Sequence, residues 1–224
     1  MIKRGMFSLL VFTTALLAQT NPDWHRQFPA FKIGGNLYYV GTADLAVYLI
    51  NTPQGNILIN SDFQEDVPLI RKSIEQLGFK YGDTKIILIS HAHGDHDAAT
   101  GLIKKDTGAR LMVMDADVPE EESTAPGRPG AHVDRVLHDG DTVELGGSKL
   151  TAHLTPGHTK GCTTWTMQVQ EGGRGLKAKY EKMAGGASNP FIDLAGYKAY
   201  VAEREATFLK EWERQKQNPG SPAP

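Results

Sequence analysis

In the stretch SHAHGDHDAATG, Ser90 to Gly101, three histidines and two aspartates crowd into His91 to Asp97. Imidazole and ionised carboxylate are ligands for divalent transition metals; the mixture favours zinc, and iron and manganese use the same donors. In extended backbone, side chains two apart point the same way, so His91 and His93 are expected to converge on one ion. Gly94 then lets the chain turn, and Asp95 and His96 emerge toward a different point, where a neighbouring ion would sit. A catalytic zinc usually takes three protein ligands. The third for the first ion is sought in TPGHT, Thr155 to Thr159, where Pro156 and Gly157 bend the chain at a strand end and leave His158 on an exposed turn.

These residues need elements to carry them. NLYYVG (Asn36 to Gly41), LAVYLIN (Leu45 to Asn51) and NILINS (Asn56 to Ser61) are rich in β-branched and aromatic residues and are broken by turn signals such as TPQG, which predicts an antiparallel meander. Asp66 is placed to cap a helix with Pro68 in its first turn and Val67, Ile70, Ile74 and Leu77 at helical spacing, ending at Gly78. KIILIS (Lys85 to Ser90) then reads as a buried strand delivering the chain into the histidine motif. α/β folds tend to build sites at such strand ends. A short helix through AATGLIKKDTG and the strand RLMVM (Arg110 to Met114) follow. Asp115 to Gly130 opens as a short acidic helix and closes in a Pro/Gly-rich loop, the expected seam between two halves. A hairpin around Gly146 and Gly147, a strand over Cys162 to Gln170 and a long amphipathic helix from about Asp193 to Gln217 complete the reading.

Composition limits the alternatives. The 224 residues, 40% hydrophobic and 22% charged, suit one globular unit with a substantial core. A formal net charge of -2 offers no basic face for a phosphate backbone, so no nucleic-acid partner is expected. Lys3 and Arg4 precede the apolar run Met6 to Ala18, the pattern of an export signal too short to span a bilayer. The expected layout is a signal peptide over 1–18, one domain over 19–217 and a frayed tail over 218–224. The mature protein would be periplasmic or secreted and free of the membrane. Cys162 is the only cysteine, which rules out an internal disulfide.

HAHGDH followed by TAHLTPGHTKGCTTW resembles the metallo-β-lactamase fold superfamily, whose hallmark is a His-x-His-x-Asp-His motif at a strand end with a later Gly-His ligand. The segments NLYYVGTADLAVYLINTPQGNILINS and LTAHLTPGHTKGCTTW look most like the exported β-lactamases whose zincs use His and Asp without Cys. The similarity covers about Trp24 to Gln170 and resumes in the C-terminal helix. With the element order, it implies an α/β four-layer αβ/βα sandwich with its second half truncated and the metal site at the sheets' common edge. It further implies that His91, His93 and His158 hold the first zinc, that Asp95 and His96 hold the second, and that Asp95 orients an attacking hydroxide. The substrate would be a small cyclic amide or ester, a β-lactam above all, and the biological outcome antibiotic resistance.

The pattern departs from the family after Gln170. The family places a strand, a helix and another strand there, roughly 35 residues at ordinary element lengths, and the last of these brings a further histidine to the second zinc. Here EGGRG leads directly into LKAKYEKM, and no histidine follows His158. His25, His132, His138 and His153 are expected to be surface or hydrogen-bonded histidines, and Cys162 a small packed residue. One tight zinc and a weak or empty second site are therefore expected. The alternatives are a thioester or lactone hydrolase on the same fold and a single-zinc remnant without catalysis.

Overall fold

Side-chain alternation along the central strands explains the first sheet. The computed structural model describes residues 21–125, 128–171 and 174–179. β1 (Phe31–Gly34), β2 (Leu37–Tyr39), β3 (Tyr48–Thr52) and β4 (Gly55–Ile59) pair antiparallel, the expected meander with one extra edge strand. β4 continues into parallel pairing with β5 (Thr84–Leu88), β6 (Arg110–Met114) and β7 (Arg135–Leu137), giving a seven-stranded sheet in chain order. Tyr48, Ile50, Ile57, Ile59, Ile86, Leu88, Met112 and Met114 face one core; Leu49, Leu58, Ile87, Leu111 and Val113 face another. Both faces are buried, so these strands read as unbroken apolar runs rather than as alternating ones.

α1 (Val67–Gln76) and α3 (Thr100–Thr107) cover one face through Val67, Ile70, Ile74 and Ile103. α1 ends as expected at Gly78, whose φ of +83° is left-handed and whose N–H donates to Glu75 O at 2.9 Å. Its start differs from expectation. Asp66 is itself in helical geometry, φ −92° and ψ −7°, and its carboxylate does not cap α1; Oδ2 lies 2.8 Å from His25 Nδ1. A carboxylate buried to this degree is better served by a basic partner than by a cap.

The second sheet is antiparallel, β8 (Thr142–Leu145), β9 (Ser148–Leu154), β10 (Thr163–Glu171) and β11 (Arg174–Lys179), in the order β11-β10-β9-β8. It faces the first sheet with Val143, Leu150, Ala152, Trp165, Met167 and Val169. The strand β11 runs from EGGRG into LKAKYEKM, the stretch that directly follows the departure after Gln170. The change of sheet also comes later than expected. α4 (Val118–Glu121) and the loop after it occupy the expected seam, but β7 beyond them still pairs with β6, so the chain crosses over only after Leu137. The helix expected over Asp193–Gln217, the signal over 1–18 and the tail over 218–224 lie outside the described residues. Among the described residues no helix is long and apolar enough to cross a membrane.

Candidate metal centre

Because β4, β5 and β6 are parallel, the residues that follow them share one edge of the sheet. Those residues are Asn60 to Asp62, Ser90 to His96 and Asp115 to Asp117. The second sheet reaches the same edge between β9 and β10. There Thr163 N–H donates to Ser90 O at 2.7 Å and Trp165 Nε1–H to Ile89 O at 3.2 Å, which fixes the loop carrying His158 against the end of β5.

The result is a cluster of imidazoles from segments 65 residues apart. One nitrogen from each of His91, His93 and His158 lies within 4.8 Å of the others. His93 Nδ1 and His158 Nε2 are 3.0 Å apart, and the ring centroids are 4.6 to 4.9 Å apart. His91 is buried while His93 and His158 are exposed, so the cluster opens to solvent on one side. The route of convergence differs from the expected extended pair: His93 N–H donates to His91 O at 3.1 Å, a tight turn, before α2 (Gly94–Asp97) begins.

Asp95 and His96 do turn toward a different point, but not as a separate pair. His91 also groups with them within the same 4.8 Å limit, and its ring centroid is 4.2 Å from that of His96. Asp95 Oδ2 is 3.3 Å from His96 Nε2. The other ring nitrogen, Nδ1, is 3.2 Å from Asn60 Nδ2. The orientation of that amide is set by two further contacts: its oxygen accepts from Ser90 N–H at 2.9 Å and its nitrogen donates to Ala46 O at 3.2 Å. Asn60 therefore presents a donor to Nδ1, which places the imidazole proton on Nε2, the nitrogen facing Asp95.

Around these groups stand residues that sequence reading did not single out. Asp117 accepts hydrogen bonds from Ala92 N, Thr159 Oγ1 and Gly161 N. Asp97 is gripped by Arg128 through both carboxylate oxygens. Asn60 and Asp62 adopt left-handed φ of 66° and 62°, a conformation Asn and Asp tolerate better than other side chains. Their only sequence signal is a polar run closing a buried strand that neighbours the motif strand.

Burial pushes the Asp62 carboxyl up to about 8, with Asp66, Asp95 and Glu65 adding to the shift. Such an acid is neutral in the fold and ionised when unfolded above pH ~4. The stability it contributes is fully present below its unfolded pKa and is lost as pH rises through about 8. Asp62→Asn, neutral at every pH and compatible with the left-handed backbone, removes this loss. Denaturant unfolding of the metal-free protein should show the variant gaining on the parent from pH 5 to pH 8, by about 1 kcal/mol or more. Parallel pH profiles would contradict it.

The remaining candidate donors stay apart from both groups. His25 pairs with Asp66, His132 with Glu122 and His153 Nε2 with Thr166 Oγ1; His138 Nδ1 is 3.8 Å from Asp141. Cys162 is a half-buried free thiol whose pKa burial raises. Among the described residues only the two sets around His91 bring metal donors within reach of one another.

The family model described as the metallo-beta-lactamase superfamily matches residues 45–170. This chain belongs to the metallo-β-lactamase superfamily. It is similar to the FEZ-1 metallo-β-lactamase from Legionella gormanii at 41% identity, covering 86% of this chain and 98% of that one, with a TM-score of 0.78. The class B3 di-zinc metallo-β-lactamase LRA-12 from an Alaskan soil metagenome matches at 35% identity over 87% of this chain and 77% of that one, TM-score 0.69. A hydroxyacylglutathione hydrolase of Rhodopseudomonas palustris (strain BisB5) is 32% identical over 112 residues, 50% of this chain. That match spans 39% of the hydroxyacylglutathione hydrolase, well under half its length. The superfamily's fold is that of the two sheets described here, and the three relatives named above are hydrolases. An open three-imidazole set is the donor chemistry of a catalytic zinc, so fold and residues together imply a bound metal, typically zinc.

Proposed function

We propose that this metallo-β-lactamase superfamily hydrolase opens the amide of β-lactams, with one zinc held tightly by His91, His93 and His158. The observation that carries the reading is that triad, assembled from both sheets, with Asp95 at its rim. The identity to FEZ-1, which extends across nearly all of that β-lactamase, supports the substrate class. Bound zinc supplies an acidified water at neutral pH and a Lewis-acidic pull on a carbonyl. Asp95, half-buried beside the triad, is the catalytic carboxylate: it would orient the attacking water by accepting its hydrogen bond and pass the proton released on attack to the lactam nitrogen as the amide C–N bond breaks. The exposed edges of His93 and His158 mark the side from which a small substrate enters.

The second metal site is weak in this account. If His91 serves the first ion, Asp95 and His96 remain, and the Asn60 contact keeps His96 in the tautomer whose proton faces Asp95. No histidine follows His158 within the 224 residues. The expectation is slow lactam hydrolysis with a single tight zinc. Export, suggested by Lys3, Arg4 and the apolar run to Ala18, would place the enzyme where it meets such substrates first, in keeping with a part in antibiotic resistance.

The hydroxyacylglutathione hydrolase match favours a second reading, thioester hydrolysis at the same centre. Nitrocefin and a hydroxyacylglutathione assayed side by side on the zinc-loaded protein separate the two. Slow, chelator-sensitive nitrocefin hydrolysis with no thioester turnover is expected. Thioester turnover with nitrocefin untouched would establish the second reading, and no turnover of either would indicate a metal-binding remnant.

A further inference from the structure

The triad draws on two halves of the chain, and the question is what sets their spacing. Asp117, 4% exposed, lies just after β6 on the sheet edge. It occupies the N-cap position of α4, where an aspartate ordinarily caps the helix, yet its side chain makes no cap hydrogen bond. Its carboxylate turns the other way. Oδ2 accepts from Ala92 N–H at 3.0 Å and from Thr159 Oγ1–H at 2.7 Å, and Oδ1 accepts from Gly161 N–H at 2.7 Å. Ala92 stands between His91 and His93, and Thr159 directly follows His158. One buried carboxylate thus joins the backbone bearing two imidazoles to the turn bearing the third.

We infer that Asp117 is the positioning residue that sets His158 against His91 and His93; this rests on the reading of those three as the zinc ligands. The turn's own hydrogen bond, Gly157 N–H to Thr159 O at 3.1 Å, shapes it locally without aiming it at the motif. Gly161 makes the approach possible, since a Cβ there would stand 2.6 Å from Asp117 Cγ. A carboxylate is the group suited to the position. All three partners donate, and a charged acceptor strengthens each bond, whereas an amide would turn an N–H toward one of them. Asp117 touches none of the reacting atoms. Its role is carried through the distance between ligands.

The test is zinc affinity by competition with a chromogenic chelator, run on the parent, Asp117→Asn, Thr159→Val, His158→Ala and the Asp117→Asn/His158→Ala double variant, each checked for folding by a metal-free melt. Groups that orient metal ligands typically contribute about 10- to 100-fold in affinity, and Asp117→Asn is expected to lose that much. Thr159→Val, which removes one of three donors and keeps the side chain's shape, should lose less in the same direction. With His158 gone there is no spacing left to set, so Asp117→Asn should weaken zinc no further in the His158→Ala background. A residue that merely supported the fold would weaken binding by the same factor in both backgrounds, and that outcome overturns the inference, as does parent-like affinity in folded Asp117→Asn. If Asp117→Asn does not fold, Thr159→Val decides: unchanged affinity overturns the inference. The underlying reading fails separately, if His158→Ala itself binds zinc like the parent.

Discussion

Arg128→Met is expected to lower the stability of the metal-free protein by about 3–5 kcal/mol at pH 7, the usual cost of removing one partner from a buried ion pair. Arg128 Nε donates to Asp97 Oδ1 at 2.8 Å and Nη2 to Asp97 Oδ2, a bidentate pairing, while Nη1 donates to Glu120 O at 2.6 Å. Asp97 is 2% exposed and ends the helical turn that presents Asp95 and His96. Glu121 Oε2 lies 4.0 Å from the guanidinium, and burial, aided by the charge on Asp97, pushes the Glu121 carboxyl up to about 9. At pH 7 the guanidinium therefore balances the buried charge of Asp97, with the exposed Glu120 carboxylate 3.3 Å from Nη1 as a second, solvent-screened partner. Met fills much of the same space but leaves that charge buried and unanswered. Adding Asp97→Asn to the variant should recover much of the loss, because the uncompensated charge goes with it. Urea unfolding of the three proteins reads this directly. A change under about 1 kcal/mol in Arg128→Met, within the range of exposed ion pairs, would show that the grip contributes little.

What the sequence makes legible follows from how local the deciding physics is. KIILIS and RLMVM announce themselves because both faces of a central parallel strand are buried, and the resulting apolar runs are unmistakable. The histidine motif is equally plain, since four donors stand within six residues straight after such a run. His158 became legible by pairing a lone histidine on a bent turn with that motif. β7 is not legible because three residues, two of them exposed, carry no periodic signal; its place in the sheet is set by pairing with β6. Asp66 departs from its expected cap for a related reason. Local pattern proposes a cap, and only the long-range approach of His25 explains why the carboxylate points elsewhere. Asp117 and Arg128 are the extreme cases. The partners of Asp117 lie 25 to 44 residues away and the Asp97 that Arg128 grips lies 31 away, so local pattern does not distinguish the two from surface charges.

His91 carries the largest single effect, because it belongs to both donor sets while His93, His158, Asp95 and His96 each belong to one. It is also the buried member of the triad, so its nitrogen reaches an ion without first being freed from bulk solvent. Replacing it with Ala removes one of three ligands from the tight site and the nearest third donor from the weaker one. Losing a direct ligand costs at least the 10- to 100-fold typical of supporting groups, and the loss of the tightest zinc equivalent altogether is expected. Calorimetric zinc titration of the metal-free parent and His91→Ala, side by side, tests the central claim most directly. One tight equivalent is expected in the parent, with a second that is at least ~10-fold weaker or absent, and no tight equivalent in His91→Ala. Two tight equivalents in the parent, or an unchanged stoichiometry in His91→Ala, would contradict it.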